Sequence, residues 1–536
     1  MWVDVIVEDI LAARPADRYV INDAKSPSGP IHVGSLRGVV LHDCLARGLR
    51  DHRREATFLF GFDDYDPMDS RPRSIPAEYD RYLGMPLSEI PSPEGAGQSY
   101  GQYYGLGFAE VWKKVGAEPE IYWTSAMYKS GRFNEAIRIA LDRADELIQI
   151  DREISGSQKA ERHPIQPLCE HCGRIGTTVV TGWDGSLVAY ECRPDKVRWA
   201  QGCGQKGRRS PFDGGGKLQY KAEWAAKWWL LGVQVEGAGK DHMTKGGSHD
   251  VARAMTERVF NSRTPYPIPY EWFLVGGKKM SSSTGLGVPA AELVEILRAE
   301  LARFLMVRPH YRQQINFDPA GETIPTLYDE YDRAAAAYFG ESEAKTPAEA
   351  ELLRDHARTY YFSRTHGEQL RAYRMRFSKV AYLMQMPTVH LEETAAVEKG
   401  APLTEEDRAE LRRRMDDARR WLQSYAPDHY RFSVQPSLPD VELTQAQRGF
   451  LARLADVVGE RGAWSGEELH TLIHALKTEM SLAAKDAFAA IYLAFLGKTS
   501  GPQAGWLLAS LDREFVSQRL REAGSAPLRT APPGAR

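Results

Sequence analysis

The sequence predicts an α/β domain built on a parallel sheet that carries a metal-binding insertion, followed by an α-helical domain. Three observations predict this. Short apolar runs alternate with amphipathic helical segments in the first third of the chain, four of the five cysteines lie between residues 169 and 203, and strand signals become sparse after residue 290. With 536 residues, the chain is too long for one hydrophobic core. We expect a sheet domain over residues 1–290 with an insertion over 165–217, a helical domain over 291–523 and a disordered tail over 524–536.

The composition is that of an ordinary globular protein. Hydrophobic residues make up 43% of the chain and charged residues 26%, which argues against large disordered regions. No apolar run reaches the roughly 18 residues of a membrane span, and the N-terminus lacks the pattern of a secretory signal. We therefore expect a cytoplasmic protein with no membrane partner. The net charge of -3 argues against a surface that binds nucleic acid without selectivity, but it does not exclude local basic patches.

The elements of the sheet domain follow one another in the order strand, loop, helix, strand. Before the insertion we predict strands at 19–21, 57–60 and 120–123 and helices at 36–50, 103–115 and 133–150. After it we predict helices at 224–231 and 251–260 and strands at 233–235 and 271–274. This alternation is typical of a nucleotide-binding sheet, whose ligands bind at the carboxyl ends of the strands.

The second half of the chain is predicted to be helical, with helices at 334–339, 348–361, 405–422 and 445–458. The basic run at 412–420 is interleaved with acids and predicts a solvated helix face. Trp421 and the Tyr- and Arg-rich residues 360–374 are better candidates for stacking on unpaired RNA bases.

A first candidate phosphate loop covers residues 27–35 (PSGPIHVGS), where a loop enters a helix. Free backbone N–H groups and the positive end of the helix dipole can hold phosphate there. Gly34 lets a nucleotide approach the backbone, His32 can donate to a phosphate oxygen, and Ser35 can cap the helix or bind a ribose hydroxyl. A capped helix with a bystander histidine is the alternative.

A second candidate loop covers residues 276–285 (GGKKMSSSTG). Its glycines make it flexible, and its lysines and hydroxyls can meet a polyphosphate as negative charge builds on leaving pyrophosphate. A solvated basic turn before the helix near residue 289 is the alternative. Neither GxxxxGK[ST] nor a GxGxxG after the first strand occurs, which argues against a P-loop NTPase and a dinucleotide oxidoreductase.

Together the two loops resemble the HIGH and KMSKS signatures of class I aminoacyl-tRNA synthetases. Four further segments are similar to class I lysyl-tRNA synthetase: 61–67 (GFDDYDP), 127–131 (MYKSG), 239–248 (GKDHMTKGGS) and 270–272 (YEW). The resemblance covers residues 15–320 and, more loosely, the helical remainder.

The resemblance implies a Rossmann-type parallel-sheet catalytic domain with a zinc-binding insertion, followed by an α-helical C-terminal domain that binds the anticodon. It implies ATP- and Mg²⁺-dependent activation of L-lysine to lysyl-adenylate and transfer to the 3′ end of lysine tRNA, by a chain expected to be a monomer. Two alternatives stay open: a divergent paralogue that activates lysine or a related amino acid for a different acceptor, and a catalytically weak RNA-binding relative.

The site residues follow from the same resemblance. The expected catalytic residues are His32, Lys279 and Ser35. Expected contacts to ATP are Pro27, Ser28, Gly29, His32, Gly34, Ser35, Gly239, Asp241, Lys279, Met280, Ser281, Ser282 and Ser283. Expected contacts to lysine are Ser26, Asp63, Asp64, Asp66, Tyr220, Trp224, His242 and Tyr270, because two ammonium groups call for carboxylates and aromatic rings. From spacing alone, the three aspartates could equally cap a surface turn.

Four cysteines form one tight and one wide pair: Cys169 with Cys172, and Cys192 with Cys203. Tetrahedral zinc needs four such ligands, and a glycine follows both Cys172 and Cys203, which suits the tight turns of zinc knuckles. We therefore expect a structural Zn²⁺. Four free buried cysteines are the alternative, and His171 or His163 could replace one thiolate.

Two positions depart from the family pattern. Thr284 stands where a lysine is expected, and Gly38 stands where an acid is usual. The loss of one cation from the second loop would weaken stabilisation of pyrophosphate unless Lys278 and Lys279 compensate. Because of these two departures, a divergent paralogue stays open as an alternative.

Overall fold

A computed structural model describes residues 1–95, 97–156, 163–276, 278–279, 289–365, 371–386, 389–461 and 463–525; of residues 278 and 279 it describes the backbone alone. The chain divides into two compact units. The sheet unit comprises Met1–Asp318 and Arg333–Glu368, and the helical unit comprises Pro319–Asp332 and Gln369–Arg536. The domain boundaries predicted from the sequence stay predictions. In the described part of the chain, no helix has the length and apolar character needed to cross a membrane.

The strands are β1 (Arg18–Lys25), β2 (Glu55–Phe62), β3 (Glu120–Trp123), β4 (Ile165–Pro167), β5 (Thr178–Trp183), β6 (Val188–Cys192), β7 (Lys206–Arg209), β8 (Gly216–Leu218), β9 (Val235–Gly239), β10 (Tyr266–Tyr270), β11 (Phe273–Val275), β12 (Lys278–Lys279) and β13 (Ile315–Phe317).

The helices up to residue 363 are α1 (Trp2–Ala13), α2 (Val33–Asp51), α3 (Tyr100–Lys114), α4 (Thr124–Lys129), α5 (Asn134–Asp142), α6 (Ala144–Ser155), α7 (Tyr220–Leu231), α8 (Ser248–Arg258), α9 (Ala290–Ile296), α10 (Ala299–Val307), α11 (Thr323–Tyr338) and α12 (Pro347–Ser363). Those after it are α13 (Phe377–Leu383), α14 (Leu391–Lys399), α15 (Glu405–Ser424), α16 (Gln445–Glu460), α17 (Gly466–Glu479), α18 (Ala484–Leu496), α19 (Ala504–Ala509) and α20 (Arg513–Ser525).

The central sheet has five parallel strands in the order β10-β9-β1-β2-β3, which confirms the predicted fold class. From β1 the chain builds the sheet in one direction through β2 and β3, and later adds β9 and β10 on the other side. The strand order therefore reverses between β1 and β9, and open α/β sheets bind their ligands in the crevice at such a point.

Several predicted elements need correction. Strand 120–123 is confirmed as β3, but helix 133–150 is two helices, α5 and α6, interrupted at Arg143. The strand predicted at 271–274 corresponds in part to β11, Phe273–Val275, which belongs to a separate three-stranded sheet, whereas the strand of the central sheet is β10, Tyr266–Tyr270, which contains Pro267 and Pro269. It lies at the edge, where residues without an N–H group are tolerated. Helix α1 was not predicted.

Residues 165–218 form two small antiparallel sheets, β4-β8 and β5-β6-β7. In the helical unit, α16 to α20 share one apolar core. Of the residues predicted to stack on RNA bases, Trp421 and Tyr360 do not suit that role, because they are 1% and 2% exposed. For the rest of 360–374 the role stays a prediction. The basic run on α15 is mostly solvated as predicted, except that Arg414 is fully buried against Glu410 and Asp332.

Candidate active site

A cavity of about 870 Å³ opens in the sheet unit where the strand order reverses. It brings together most of the residues predicted as site residues. These are Ser26, Ser28, His32, Gly34, Ser35, Asp63, Asp66, Tyr220, Trp224, Gly239, Asp241, His242 and Tyr270. Residues from β1, β2, β9 and β10 and from the loops that follow these strands account for much of the lining, as expected for a parallel sheet.

The other predicted residues fall into two groups. Pro27, Gly29 and Asp64 do not line the cavity. Met280, Ser281, Ser282 and Ser283 lie outside the described residues, as does the side chain of Lys279, whose backbone belongs to β12. The roles of all of these residues stay predictions.

His32 stands at the start of α2, where the first loop meets the cavity. His32 occupies the N-cap position of α2, and its side chain makes no hydrogen bond to the helix. Ser35 is the third residue of the helix and is therefore not the N-cap residue. The first turn of α2 carries no acid. The N–H groups and dipole at this end therefore remain available to an anion.

The His32 ring lies over Gly34. A methyl group at Gly34 would lie 2.9 Å from His32 Nδ1, so glycine is what permits this position of the ring. The Nδ1 atom is buried and has no hydrogen-bond partner among the described residues. Burial, and secondarily the charge of Lys25, lower the pKa of His32 to about 4. A neutral imidazole with one unsatisfied nitrogen suits a hydrogen bond to a bound ligand.

The described residues on either side of the second loop have partners in the fold. On one side β12 pairs with β11. On the other side Pro289 forms a backbone bridge with His32, and Ala290 N–H donates to the Ile31 carbonyl at 2.9 Å. Pro289 and Ala290, the described residues that follow the second loop, therefore lie against the first loop.

Arg37 ties these parts together and was not predicted. Its guanidinium is fully buried in α2 and donates to four backbone carbonyls, at distances of 2.5 to 3.2 Å: those of Glu271, Trp272, Tyr311 and Gln313. Arg37 thus fixes the start of α2 against the connection from β10 to β11. Such a network is recognisable only in the folded chain, since the acceptors are backbone atoms more than 230 residues away.

One wall of the cavity carries acids that are already neutralised. Asp63 accepts from Lys227 Nζ at 2.8 Å, and Asp66 lies 2.9 Å from Lys217 Nζ. Both lysines are buried and both contact Glu223, at 3.9 and 2.7 Å. We call these five residues the paired wall. Burial alone would lower the pKa of Lys227, but Asp63 and its neighbours raise it well above the ordinary value.

Asp64 points away from the cavity and serves a helix end. Its carboxylate accepts from Ser125 N–H at 2.8 Å and from Ser125 Oγ at 2.6 Å, at the start of α4. It thereby satisfies a backbone donor that the helix leaves free. The spacing of the three aspartates left open a role in capping a surface turn, whereas Asp64 is buried and caps the start of a helix.

A second part of the cavity wall carries two buried acids, Asp23 on β1 and Glu236 on β9, which we call the open wall. Glu236 accepts from Trp224 Nε1 at 2.5 Å, Asn22 Nδ2 at 2.7 Å and Trp228 Nε1 at 2.9 Å. In the described part of the chain, neither acid forms an ion pair with a lysine or arginine. Burial raises the pKa of Asp23 and that of Glu236 to about 7. An ammonium ligand would supply the missing charge.

Three predicted lysine contacts form an aromatic group beside the open wall. The ring centroids of Tyr220 and Trp224 are 5.7 Å apart, and that of His242 lies 6.0 Å from Trp224. Tyr220 Oη lies 3.5 Å from His242 Nδ1. Aromatic faces of this kind attract cations.

Lys25 is a further cavity residue that the sequence did not single out. Burial lowers its pKa, while Asp23 and Asp63 oppose the shift. Since it also acts electrostatically on His32, its cation lies near the first loop. Its position at the end of a strand in front of that loop is the signal that could have found it.

The four predicted cysteine ligands meet in the small sheets of residues 165–218. Their sulfurs all lie within 4.8 Å of one another, with Cys169 to Cys203 and Cys172 to Cys192 each at 3.7 Å. Ligand distances of about 2.3 Å to a tetrahedral zinc give sulfur separations of about 3.8 Å. Gly173 and Gly204 adopt the left-handed φ values of 68° and 78° that the two turns need.

Cys192 and Cys203, the wide pair, come together because the backbone between them forms a loop whose two ends are in contact. Cys203 N–H donates to Cys192 Sγ at 3.4 Å, and a side chain at Gly202 would lie 2.3 Å from the Arg193 carbonyl. The ten residues between the two cysteines therefore form a loop with a closed base. The donor set fits zinc; His171 and His163 are not part of it.

Comparison with known proteins decides the family. The family model "tRNA synthetases class I (K)" matches residues 1–364, and the model "Anticodon binding domain" matches residues 427–524. The chain belongs to the class I (K) tRNA synthetases.

Relatives in this family match along nearly the whole chain. A lysine–tRNA ligase of Methanosarcina barkeri is 34% identical over 98% of both chains. One of Archaeoglobus fulgidus is 35% identical over 97% of this chain and 99% of its own, and one of Thermoplasma acidophilum is 32% identical over 97% and 98%. Among solved structures, a glutamate tRNA ligase of Elizabethkingia meningosepticum covers 95% of this chain and 99% of its own at 14% identity, with a TM-score of 0.41.

The part of this synthetase that matches the anticodon-binding model contributes to a second cleft, of about 570 Å³. Its lining includes three cations and no acid: Arg419, Arg431 and Lys498. Phe432 and Leu496 contribute apolar surface, and Arg431 Nε is buried with no hydrogen-bond partner among the described residues. Cations around an apolar floor suit a nucleotide with its phosphate.

Proposed function

We propose that this protein is a lysine–tRNA ligase, which activates L-lysine with ATP and transfers the lysyl group to the 3′ end of lysine tRNA. The observation that carries the proposal is the match to lysine–tRNA ligases along 97–98% of the chain. The cavity supports it, because the first loop, the open wall and the aromatic group line a single space. Nothing in the comparisons favours a different acceptor.

In the first step, a carboxylate oxygen of lysine attacks the α-phosphorus of ATP, and the bond from that phosphorus to the bridging oxygen breaks to release pyrophosphate. The carboxylate is already ionised at neutral pH, so no general base is needed. Catalysis then rests on orientation and on stabilising charge at the phosphates. We propose that His32 Nδ1, Lys25 and the N–H groups at the start of α2 hold these oxygens.

In the second step, a hydroxyl of the terminal ribose of tRNA attacks the carbonyl carbon of lysyl-adenylate, and AMP leaves. The contribution of Lys279 and Ser281 to Ser283 in the second loop remains a proposal, supported by the backbone bridge of Pro289, which follows the loop, with His32. Mg²⁺ is expected to accompany ATP, since protein sites usually hold this ion through substrate phosphates together with one or two carboxylates.

We propose that lysine binds between the open wall and the aromatic group. Glu236 would accept from an ammonium group, and Trp224, Tyr220, His242 and Tyr270 would line the remaining surface. Asp63 and Asp66 lie in the cavity but are satisfied by Lys227 and Lys217. We therefore propose that these two acids organise the paired wall, and that the sequence-based expectation of direct lysine contacts applies better to Glu236.

We propose that Cys169, Cys172, Cys192 and Cys203 hold one structural Zn²⁺. Bound zinc would stabilise the fold of residues 165–218, which contribute Gln166, Trp199 and Lys217 to the cavity. Metal analysis of the purified protein should find about one zinc per chain, and Cys169→Ser should lose it, whereas Cys44→Ala, remote from the cluster, should keep it. Equal zinc in the wild type and Cys169→Ser would contradict the assignment.

We propose that the cationic cleft of the helical unit takes an unpaired nucleotide of the tRNA. Lys498→Ala should lower the rate of tRNA charging and leave the tRNA-independent activation step unchanged. Loss of both activities together would instead indicate a folding defect. A monomeric state and a cytoplasmic location remain expectations that hydrodynamic measurement and localisation would test.

ATP–pyrophosphate exchange tests the function directly. We expect exchange that depends on lysine, and charging of lysine tRNA by the same preparation. Exchange without charging would favour the paralogue with another acceptor. Absence of exchange with lysine and its near analogues would exclude the proposed activity.

A further inference from the structure

Gly38 lies in the second turn of α2 with its Cα facing the open wall. A methyl group at this position would lie 2.7 Å from Tyr270 Oη and 2.8 Å from Asp23 Oδ2. Both distances are shorter than real carbon contacts allow. Two polar groups therefore occupy the space in which a side chain at residue 38 would begin.

The carboxylate of Asp23 has one oxygen committed and one available. Oδ1 accepts from the Ala24 N–H at 2.8 Å. Oδ2 lies 3.5 Å from His42 Nδ1, but this imidazole is neutral, because Nε2 accepts the Gly237 N–H at 2.8 Å while Nδ1 contacts the Gly38 carbonyl at 2.7 Å. The side chain of Asp23 lines the cavity and is 13% exposed, so Oδ2 faces the space where a ligand binds.

Tyr270 supplies a second group at the same point. Its hydroxyl lies within about 5.5 Å of Asp23 Oδ2, since the two atoms would lie 2.7 and 2.8 Å from the same added carbon at residue 38. Among the described residues, neither atom forms an ion pair or hydrogen bond with a lysine or arginine, although Lys25 and Lys227 act electrostatically on Asp23 and Arg37 acts on Tyr270. A carboxylate oxygen and a phenolic oxygen that converge on one cavity are acceptors suited to an ammonium group.

We propose that Asp23, together with Tyr270, is the specificity-determining acceptor for the side-chain ammonium of the amino-acid substrate. The inference rests on the proposed lysine-activating function and deepens it.

The position of the pair along α2 decides which ammonium it binds. Gly38 lies four residues beyond Gly34, at about 1.5 Å per residue, and hence about 6 Å from the phosphate-binding end of the helix. The α-carboxylate of the substrate must reach the α-phosphate near His32. An extended lysine side chain covers a comparable length, so its far end arrives at Asp23, whereas its α-ammonium stays nearer to the first loop.

The test compares lysine with norleucine, which has the same carbon chain and no side-chain ammonium. Asp23→Asn keeps the size of the side chain and removes its charge. We expect the KM for lysine in ATP–pyrophosphate exchange to rise about 10–100-fold, as expected when one partner of a buried charge-assisted contact is lost. The Ki of norleucine as a competitor should stay within about threefold, because that ligand never used the carboxylate.

Asp17→Asn is the matched control, since Asp17 is fully exposed just before β1 and pairs only with Arg54 among the described residues. Its KM and Ki should equal those of the wild type. Thermal unfolding of each variant separates loss of the contact from loss of the fold.

An unchanged KM for lysine in Asp23→Asn would overturn the assignment, and so would an equal rise in the lysine KM and the norleucine Ki, which indicates a purely structural role. If the wild type itself shows no lysine-dependent exchange, the proposed function fails and the assignment fails with it. An active wild type beside an unaffected variant removes the assignment alone.

Discussion

Two walls of the cavity both carry buried carboxylates, but they balance that charge in different ways. On the paired wall, Asp63 and Asp66 contact the buried lysines Lys227 and Lys217 within 2.9 Å. On the open wall, Asp23 and Glu236 form no ion pair with a lysine or arginine of the described residues. Removing charge from water is costly unless a partner compensates for it. The paired wall is therefore complete without a ligand, whereas the open wall becomes complete when a cation binds.

Because of this difference, we expect one wall to determine the stability of the fold and the other to determine the affinity for lysine. Variants of the paired wall should mainly change the free energy of unfolding, and variants of the open wall should mainly change the KM for lysine. Both walls are lined by carboxylates in the same cavity, so composition alone does not distinguish them. Their roles follow from which acids have internal cations.

The largest effect is expected for Lys227→Met, which leaves Asp63 buried without its cation. Breaking a buried ion pair by removal of one partner costs about 3–5 kcal/mol. Denaturant unfolding should show a loss of that size. Lys113→Met is the matched control, because Lys113 and Glu110 form an ion pair at 2.8 Å with side chains 55% and 68% exposed; its loss should change stability by less than about 1 kcal/mol. Equal effects of the two variants would abolish the distinction between the walls.

A smaller change in stability and a larger change in affinity are expected for Glu236→Gln. The amide would keep the shape and lose the charge, and one of its ends would turn N–H groups towards the N–H donors of Trp224, Trp228 or Asn22. We expect the KM for lysine to rise about 10–100-fold, corresponding to roughly 1.5–3 kcal/mol for hydrogen bonds to a charged group. A variant that loses stability as Lys227→Met does, with an unchanged KM, would place Glu236 on the paired wall instead.

The open wall should also make lysine binding depend on pH. Burial raises the pKa of Asp23 and of Glu236 to about 7, so both are largely neutral at pH 6 and largely ionised at pH 8. The charges that face Asp23 are those of Lys25, Lys227 and Asp63, with His42 neutral beside it. Because an ammonium prefers the ionised carboxylates, lysine should bind about tenfold more tightly at pH 8 than at pH 6. Calorimetric titration without ATP would measure this, and Asp23→Asn should flatten the dependence.

The stability of the protein without lysine depends on pH in the opposite direction. Since the folded pKa values of these two acids lie above their unfolded values of 3.8 and 4.5, the folded state retains the protons longer. Their contribution to the free energy of unfolding is complete at low pH and is lost as pH rises through about 7. In Asp23→Asn this loss should be smaller than in the wild type. A dissociation constant for lysine that does not change from pH 6 to pH 8 would contradict ionisation of the open wall.

The sequence predicts the parts of this site whose chemistry is local. His32, Gly34 and the cysteine turns are recognisable because a helix start or a tight turn needs those residues in that order. The parallel sheet follows from alternation of apolar strands and helices. Position in the fold then brings these motifs together at the reversal of strand order.

The division between the walls could not be predicted from the sequence, because it depends on contacts across long stretches of chain. Asp63 meets Lys227 across 164 residues, and Asn22 meets Glu236 across 214. In the sequence Asp63 looks like an acid at the end of a strand, free to bind substrate. Asp23 and Glu236 look like single acids within apolar runs. The missing information is which lysine folds against which acid, and that is settled by packing of α7 and β8 against the ends of β1 and β2.

The smallest effect is expected for Ser26→Ala, at a residue whose role predicted from the sequence differs from its contact in the structure. Ser26 was predicted to contact lysine, yet its hydroxyl donates to Asp66 Oδ2 at 2.5 Å. Asp66 keeps Lys217 as its partner after the change, so we expect a loss of about 0.5–1.5 kcal/mol in unfolding free energy and less than a threefold change in the lysine KM. Exchange kinetics and denaturant unfolding of the same preparation would give both numbers. A tenfold rise in KM would mean that Ser26 turns to the substrate when lysine binds, and that the paired wall takes part in recognition after all.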